Sequence, residues 1–255
     1  MATLARPPRL LAGRERNFFL AFVMIAWFGV VAGFFPPSAA RFAGKADYSA
    51  PLILQIHAAS FMGWMVLLSV QVGLIRFGRQ PDHRKLGRVG AVLIPIMVLS
   101  GFFSEVYSQR FYLSHPPDSQ AFFILPIWYV LAFGTLAGSA ILRRADPQAH
   151  KRLIYLATTV IVGAAYTRWW GGALTAMAGD GYVGMIVNSF TATNLLLVAL
   201  VAFDLATRGR VHPATLAGAA GIVVSEFVVS WIYHAPGWLP IAHAIAAALP
   251  GPPIP

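Results

Sequence analysis

The sequence predicts an all-α membrane protein: a polytopic bundle of seven transmembrane helices, built as one single span followed by three helical hairpins. Three observations carry this. The 255 residues are 58% hydrophobic and only 11% charged, where a soluble domain is about a quarter charged. The apolar residues gather into runs near the roughly 20 residues that cross about 30 Å of hydrocarbon. A unit of apolar helix, basic turn and apolar helix then recurs three times. Its turns are Pro81-Asp82-His83-Arg84-Lys85-Leu86, Asp146-Pro147-Gln148-Ala149-His150-Lys151-Arg152-Leu153 and Arg208-Gly209-Arg210-Val211-His212-Pro213, each with a His at or near the start of its second helix. Repeats of this sort build many membrane bundles.

The first span is expected over about residues 18–35, behind Arg6, Arg9, Arg14 and Arg16. Its run of about 18 apolar residues exceeds the 7–15 of a signal-peptide core, so it reads as a retained span despite Ser38-Ala39-Ala40. Pro36-Pro37 is expected to end it, since neither proline can donate a backbone hydrogen bond. The second span covers about 51–75, where His57, Trp64 and Gln71 recur every seven residues and share one helical stripe. After a basic turn at 76–88 comes the third, about 89–107. The fourth covers about 122–142 and the fifth about 153–169, the latter introduced by Asp146-Pro147 as N-cap and first helical residue. The sixth spans about 182–206, and the seventh about 214–233 follows His212-Pro213. In the tail, 236–255, an amphipathic stretch from Ile241 to Leu249 is expected to lie along the outer membrane surface.

Charge placement orients the chain. Fifteen of the nineteen Lys and Arg residues fall before the first span or in the three hairpin turns, and only Arg41, Lys45, Arg110 and Arg168 fall on the other side. The positive-inside rule then places the N-terminus in the cytoplasm and the C-terminus outside, in the cell inner membrane. The net charge of +10 thus serves topology. It forms no continuous basic face, so nucleic acid is excluded as a partner and the lipid bilayer is the expected one. His83, His150 and His212, beside Arg and Lys, read as anchors to anionic headgroups. With no cysteine, disulfides, thiolate metal sites and cysteine nucleophiles are excluded. No phosphate-binding loop, dinucleotide fingerprint, HExxH helix or G-x-S-x-G elbow marks an enzyme.

The pattern His57-x6-Trp64, Gln71, His83-Arg84-Lys85-Leu86-Gly87 and His150-Lys151-Arg152-Leu153 resembles a group of uncharacterised bacterial multi-span inner-membrane proteins, over about residues 51–170. The resemblance implies a helical bundle and no particular activity.

Candidate site residues lie mostly in the outer half, where the alternating helices bring His57, Glu105, Tyr166, Arg168, Asn188 and His234 to one level; Trp64 shares the stripe of His57. Glu226 lies about two turns deeper than His234 in the seventh helix. A carboxylate at that depth costs at least a few kcal/mol unless paired or protonated, so it is expected to face the interior, with Asn188, Asn194, His57, Tyr166 or an ordered water as partner. Simpler roles stand beside these. Trp169, Trp170, Trp231, Tyr233 and Trp238 suit an interfacial aromatic belt, Glu105 and Arg168 an interfacial ion pair, and Asn188 and Asn194 helix-to-helix hydrogen bonds. Three functions compete. First is a non-catalytic protein binding a hydrophobic small molecule, or an accessory subunit of a membrane complex. Second is a haem b protein with His57 and His234 as axial ligands, and third a proton-linked transporter using Glu226 and His57.

Overall fold

The computed structural model describes residues 9–113 and 120–249, and every regular element among them is a helix. In order these are α1 (Arg9–Phe42), α2 (Leu52–Arg76), α3 (Gln80–Tyr112), a 3-10 turn (Gln120–Phe123), α4 (Ile124–Leu142), α5 (Pro147–Ala178), α6 (Tyr182–Arg208), α7 (Pro213–His234) and α8 (Trp238–Ala248). Six helical segments, α1, α2, α3, α4 with its 3-10 turn, α6 and α7, are long and apolar enough to cross a membrane, which fits a multi-pass membrane protein. Of the seven expected spans, α5 is the one that falls short, and its 32 residues show that length is not the reason. Every residue from Tyr155 to Gly163 is buried. A helix enclosed on all sides meets little lipid and can carry Thr, Tyr and Gly where a lipid-facing helix needs Leu and Val.

Several boundaries move outward. Pro36 and Pro37 do not end α1, which runs on to Phe42. The two prolines leave the carbonyls of Ala32 and Gly33 without their i+4 donors, and the helix continues past them all the same. The basic stretch expected as a turn at 76–88 shrinks to residues 77–79, with Gly78 at φ 75°, a conformation glycine adopts without a Cβ clash. Pro81 then sits in the first turn of α3, where its missing N–H costs nothing. Asp146 caps α5 as expected, Oδ1 accepting from the backbone N–H groups of Gln148 (2.9 Å) and Ala149 (3.2 Å). His212 caps α7, its Nδ1 accepting from Ala214 N–H at 3.1 Å. In the tail, α8 starts three residues earlier than the amphipathic stretch read from the sequence, and residues 250–255 lie outside the described residues.

α5 packs against α1, α4, α6 and α7; α2 lies between α1 and α3, and α3 returns to α4. The three hairpins pair within themselves as the repeat requires. α1 approaches α5 through two glycines: a Cβ on Gly33 would stand 2.0 Å from the Ala165 carbonyl oxygen, and one on Gly29 2.3 Å from the Tyr166 ring. Lipid offers no hydrophobic drive between helices, so such small-residue approaches and the hydrogen bonds across them hold the bundle. Tyr166 OH donates to the Ile25 carbonyl at 2.9 Å, and Trp64 Nε1 donates to Thr158 Oγ1 at 3.1 Å. Each side-chain bond of this kind averages about 0.6 kcal/mol in a membrane.

The cation-rich turns gather at one end and are tied together there. Lys151 pairs with Glu15, Arg76 Nη1 donates to Asn17 Oδ1, and Arg208 Nη1 donates to Gln148 Oε1. Deepest is the ion pair of Arg152 and Asp204, 1% and 0% exposed. Asp204 also accepts from Thr215 Oγ1 (2.6 Å) and His212 N–H (3.1 Å), so one carboxylate links α5, α6 and the start of α7.

Candidate functional site

The second buried acid lies inside the four-helix half formed by α4 to α7. Glu226 on α7 is 2% exposed and faces inward, as its depth in an apolar helix requires. Of the partners expected from the sequence, Asn194 on α6 is the one the fold supplies, its Nδ2 donating to Glu226 Oε2 at 2.8 Å. Oε1 is buried with no hydrogen-bond partner. The hydroxyls of Ser230, one turn along α7, of Thr193 on α6 and of Thr159 on α5 share that condition, each on a residue with no exposed surface. Thr193 sits where it does because position 163 is glycine: a Cβ there would stand 2.4 Å from Thr193 Oγ1 and 3.7 Å from the Tyr129 ring.

Polar groups continue from Glu226 away from the cation-rich end. Tyr129 OH and Thr167 Oγ1 both donate to the Ser189 carbonyl at 3.2 Å, and Asn188 Nδ2 donates to Thr175 Oγ1 at 2.8 Å. Toward the cation-rich end the lining changes: Leu156, Leu197, Leu200 and Ile222 are buried together, and beyond them stands the Arg152–Asp204 pair. A buried acid thus has polar neighbours on one side and an apolar plug on the other. Unpartnered buried hydroxyls cost about 1–3 kcal/mol each.

The outer candidates divide. His57 faces α3 at Gly101, where a Cβ would stand 3.6 Å from Nδ1, and Nδ1 is buried without a partner. Arg168 lies within electrostatic reach of both His57 and Glu105. The Glu105–Arg168 ion pair read from the sequence does not form. Glu105 accepts from Gln109 Nε2 at 2.7 Å, while Arg168 donates to the Ala164 carbonyl at 2.9 Å and lies over the Phe34 ring. Tyr166, Trp64 and Asn188 serve helix-to-helix bonds.

His57 and His234 do not meet. His57 lies against the Phe61 ring at a tilt of 51°, whereas His234 lies against Tyr182 and Tyr233 and bonds the Ser230 carbonyl through Nδ1 at 2.8 Å. α2 and α7 are not packed neighbours, and each ring has its own set of contacts. Among the described residues no three His, Asp or Glu side chains are grouped to hold a metal. No family model, curated protein or solved structure matches the chain.

Two residues of consequence escaped the sequence reading. Arg152 counts there only as a turn cation, and Asp204 was passed over. Asp204 interrupts the apolar run LVAFDLA and carries the signal that singled out Glu226, an acid inside a membrane helix.

Proposed function

We propose that the chain is an inner-membrane protein with seven crossings, α5 being the innermost, and that it is a transporter of a small molecule linked to proton binding at Glu226. The N-terminus is cytoplasmic, on the cation count. One observation carries the function: Glu226 is buried with one oxygen bonded to a neutral amide and the other free, while Ser230 one turn along α7 and Thr193 beside Asn194 are also buried without hydrogen-bond partners. Among the described residues no cation lies within ion-pair distance of it. Under those conditions the acid is affordable when it carries its proton, and its ionised form needs an incoming partner. The apolar plug between Glu226 and the Arg152–Asp204 pair closes one side, as a single-sided binding state requires. Infrared difference spectroscopy on the protein in liposomes tests this. The carbonyl stretch of a protonated carboxylic acid should appear and vanish with pH in the wild type and be missing in Glu226→Gln. A band that stays constant across the neutral range would reduce Glu226 to a structural hydrogen-bond donor.

A second function, binding of a hydrophobic molecule, is favoured by a groove of about 330 Å³ between α3 and α4, lined by Val98, Leu99, Phe102, Phe103, Ile127 and Leu131 among others. It is apolar throughout and suits a hydrocarbon tail. Competition between a fluorescent fatty acid and unlabelled lipid, in wild type and Leu99→Trp, separates it from ordinary solvation by the bilayer.

A further inference from the structure

The α2–α3 and α4–α5 turns meet at the cation-rich end, and there the rings of His83 and His150 lie 6.3 Å apart between centroids, at 85°. Headgroup anchoring, expected for them separately, does not require them to face each other. His150 Nδ1 stands 2.9 Å from the Ala140 carbonyl oxygen. A carbonyl only accepts, so Nδ1 carries the ring proton and Nε2 keeps its lone pair. A backbone carbonyl behind an imidazole is the usual outer support of a metal ligand, fixing both tautomer and ring orientation. On the other side His83 Nδ1 is buried with no hydrogen-bond partner. Gln71 donates through Nε2 to the His83 carbonyl at 3.1 Å, and its Oε1 is also buried and unpartnered. Three groups from α2, α3 and α5 thus come together with donor electrons unused.

We propose that His83 and His150 hold a copper or zinc ion, with Gln71 Oε1 as the third donor. Two metal–nitrogen bonds of about 2.0–2.1 Å, added to the ring radii, reach this separation when the two bonds are nearly collinear, and a tetrahedral ion draws the rings about 1 Å closer. The donor set selects the ion: imidazole suits zinc and copper, whereas calcium and magnesium require more oxygen ligands than this turn supplies. Local charge permits a cation, because Lys151, Arg152 and Arg79 are paired with Glu15, Asp204 and Asp82, which leaves the His150 ring and then Arg84 as the positive groups acting on His83. With two or three protein donors the ion keeps an open position toward the aqueous side. This site is separate from Glu226 and stands whether or not that acid moves a proton.

The full-length protein, purified in detergent and stripped with chelator, is titrated with Zn(II), Cu(II) and, under reductant, Cu(I) against a chromophoric competitor. One tight equivalent of at least one ion is expected, weakening as pH falls through the imidazole range because the ligating nitrogens must be unprotonated. His83→Gln and His150→Gln should each lose it, while His212→Gln and His243→Gln keep it, all compared at matched size-exclusion profiles. X-ray absorption of the loaded wild type should show two imidazole nitrogens, a readout that needs no variant to fold. The assignment is overturned by a wild type without a tight equivalent, by binding that survives either ligand substitution, or by a spectrum with fewer than two imidazoles.

Discussion

Replacing Asp204 by alanine should destabilise the bundle by about 3–5 kcal/mol, the range for removing one member of a buried ion pair. The structure sets where in that range the effect falls. Asp204 accepts from Arg152 Nε, from Thr215 Oγ1 at 2.6 Å and from His212 N–H at 3.1 Å, and alanine strands all three. Arg152 still donates through Nη1 to the carbonyl and side chain of Gln148, which softens the loss toward the lower end. Asp204→Asn keeps an oxygen for Thr215 and His212 and forfeits the charge, for a cost of about 1.5–3 kcal/mol. Arg152→Met combined with Asp204→Leu removes charge and partner together and should be close to neutral, or more stable by about 1–4 kcal/mol. Unfolding of each variant by sodium dodecyl sulfate in mixed micelles, followed by circular dichroism, gives the three differences. If Asp204→Ala falls within about 1 kcal/mol of wild type, the cost expected of a surface pair, the pair is not the buried tie described.

Gly33→Ala places a Cβ 2.0 Å from the Ala165 carbonyl oxygen and should cost about 1–3 kcal/mol by overpacking; Gly138→Ala, which meets nothing within 4 Å, serves as the control in the same unfolding assay and should not destabilise. Asp146→Ala removes the α5 cap at about 0.5–2 kcal/mol. The Ala149 N–H bonded to Asp146 holds its carboxyl below the ordinary carboxylate range. A carboxyl held low when folded stabilises above its unfolded value of about 3.9 and loses that contribution as pH falls through the lower folded value. The gap between wild type and Asp146→Ala should therefore be full at neutral pH and shrink in strong acid; a gap that widens in acid would contradict the cap. The chain has no cysteine, so a membrane-impermeant maleimide should label Asp180→Cys in intact cells and Arg143→Cys only after disruption. The reverse pattern would invert the topology.

Local chemistry was readable from sequence, and lateral neighbours were not. Asp146-Pro147 and His212-Pro213 name their own helix starts because a cap bonds within two or three residues. Glu226 declares its inward direction because lipid offers an acid nothing, yet choosing Asn194 over Asn188 required the rotation of α6 against α7. Alternating helix direction fixes depth alone, so His57 and His234 share an end of the bundle without sharing a neighbourhood. The same limit hid the meeting of His83 with His150. The low hydropathy of α5 has a related reason: apolarity records contact with lipid, and the helix at the centre has little.

The placement of Arg152 also sets a timetable for synthesis. Its carboxylate partner lies 52 residues further along the chain. At about 5–20 residues per second, α5 waits roughly 3–10 s after Arg152 is made before Asp204 exists. Through that interval α5, on the seven-crossing reading, must enter the bilayer with an unpaired guanidinium at its cation-rich end, where the side chain can reach up to the headgroups. α5 therefore has to be held by α4 and α1, already inserted, until α6 arrives. A ribosome that stalls between the two helices would leave a half-built bundle with an exposed charge, a natural substrate for membrane quality-control proteases.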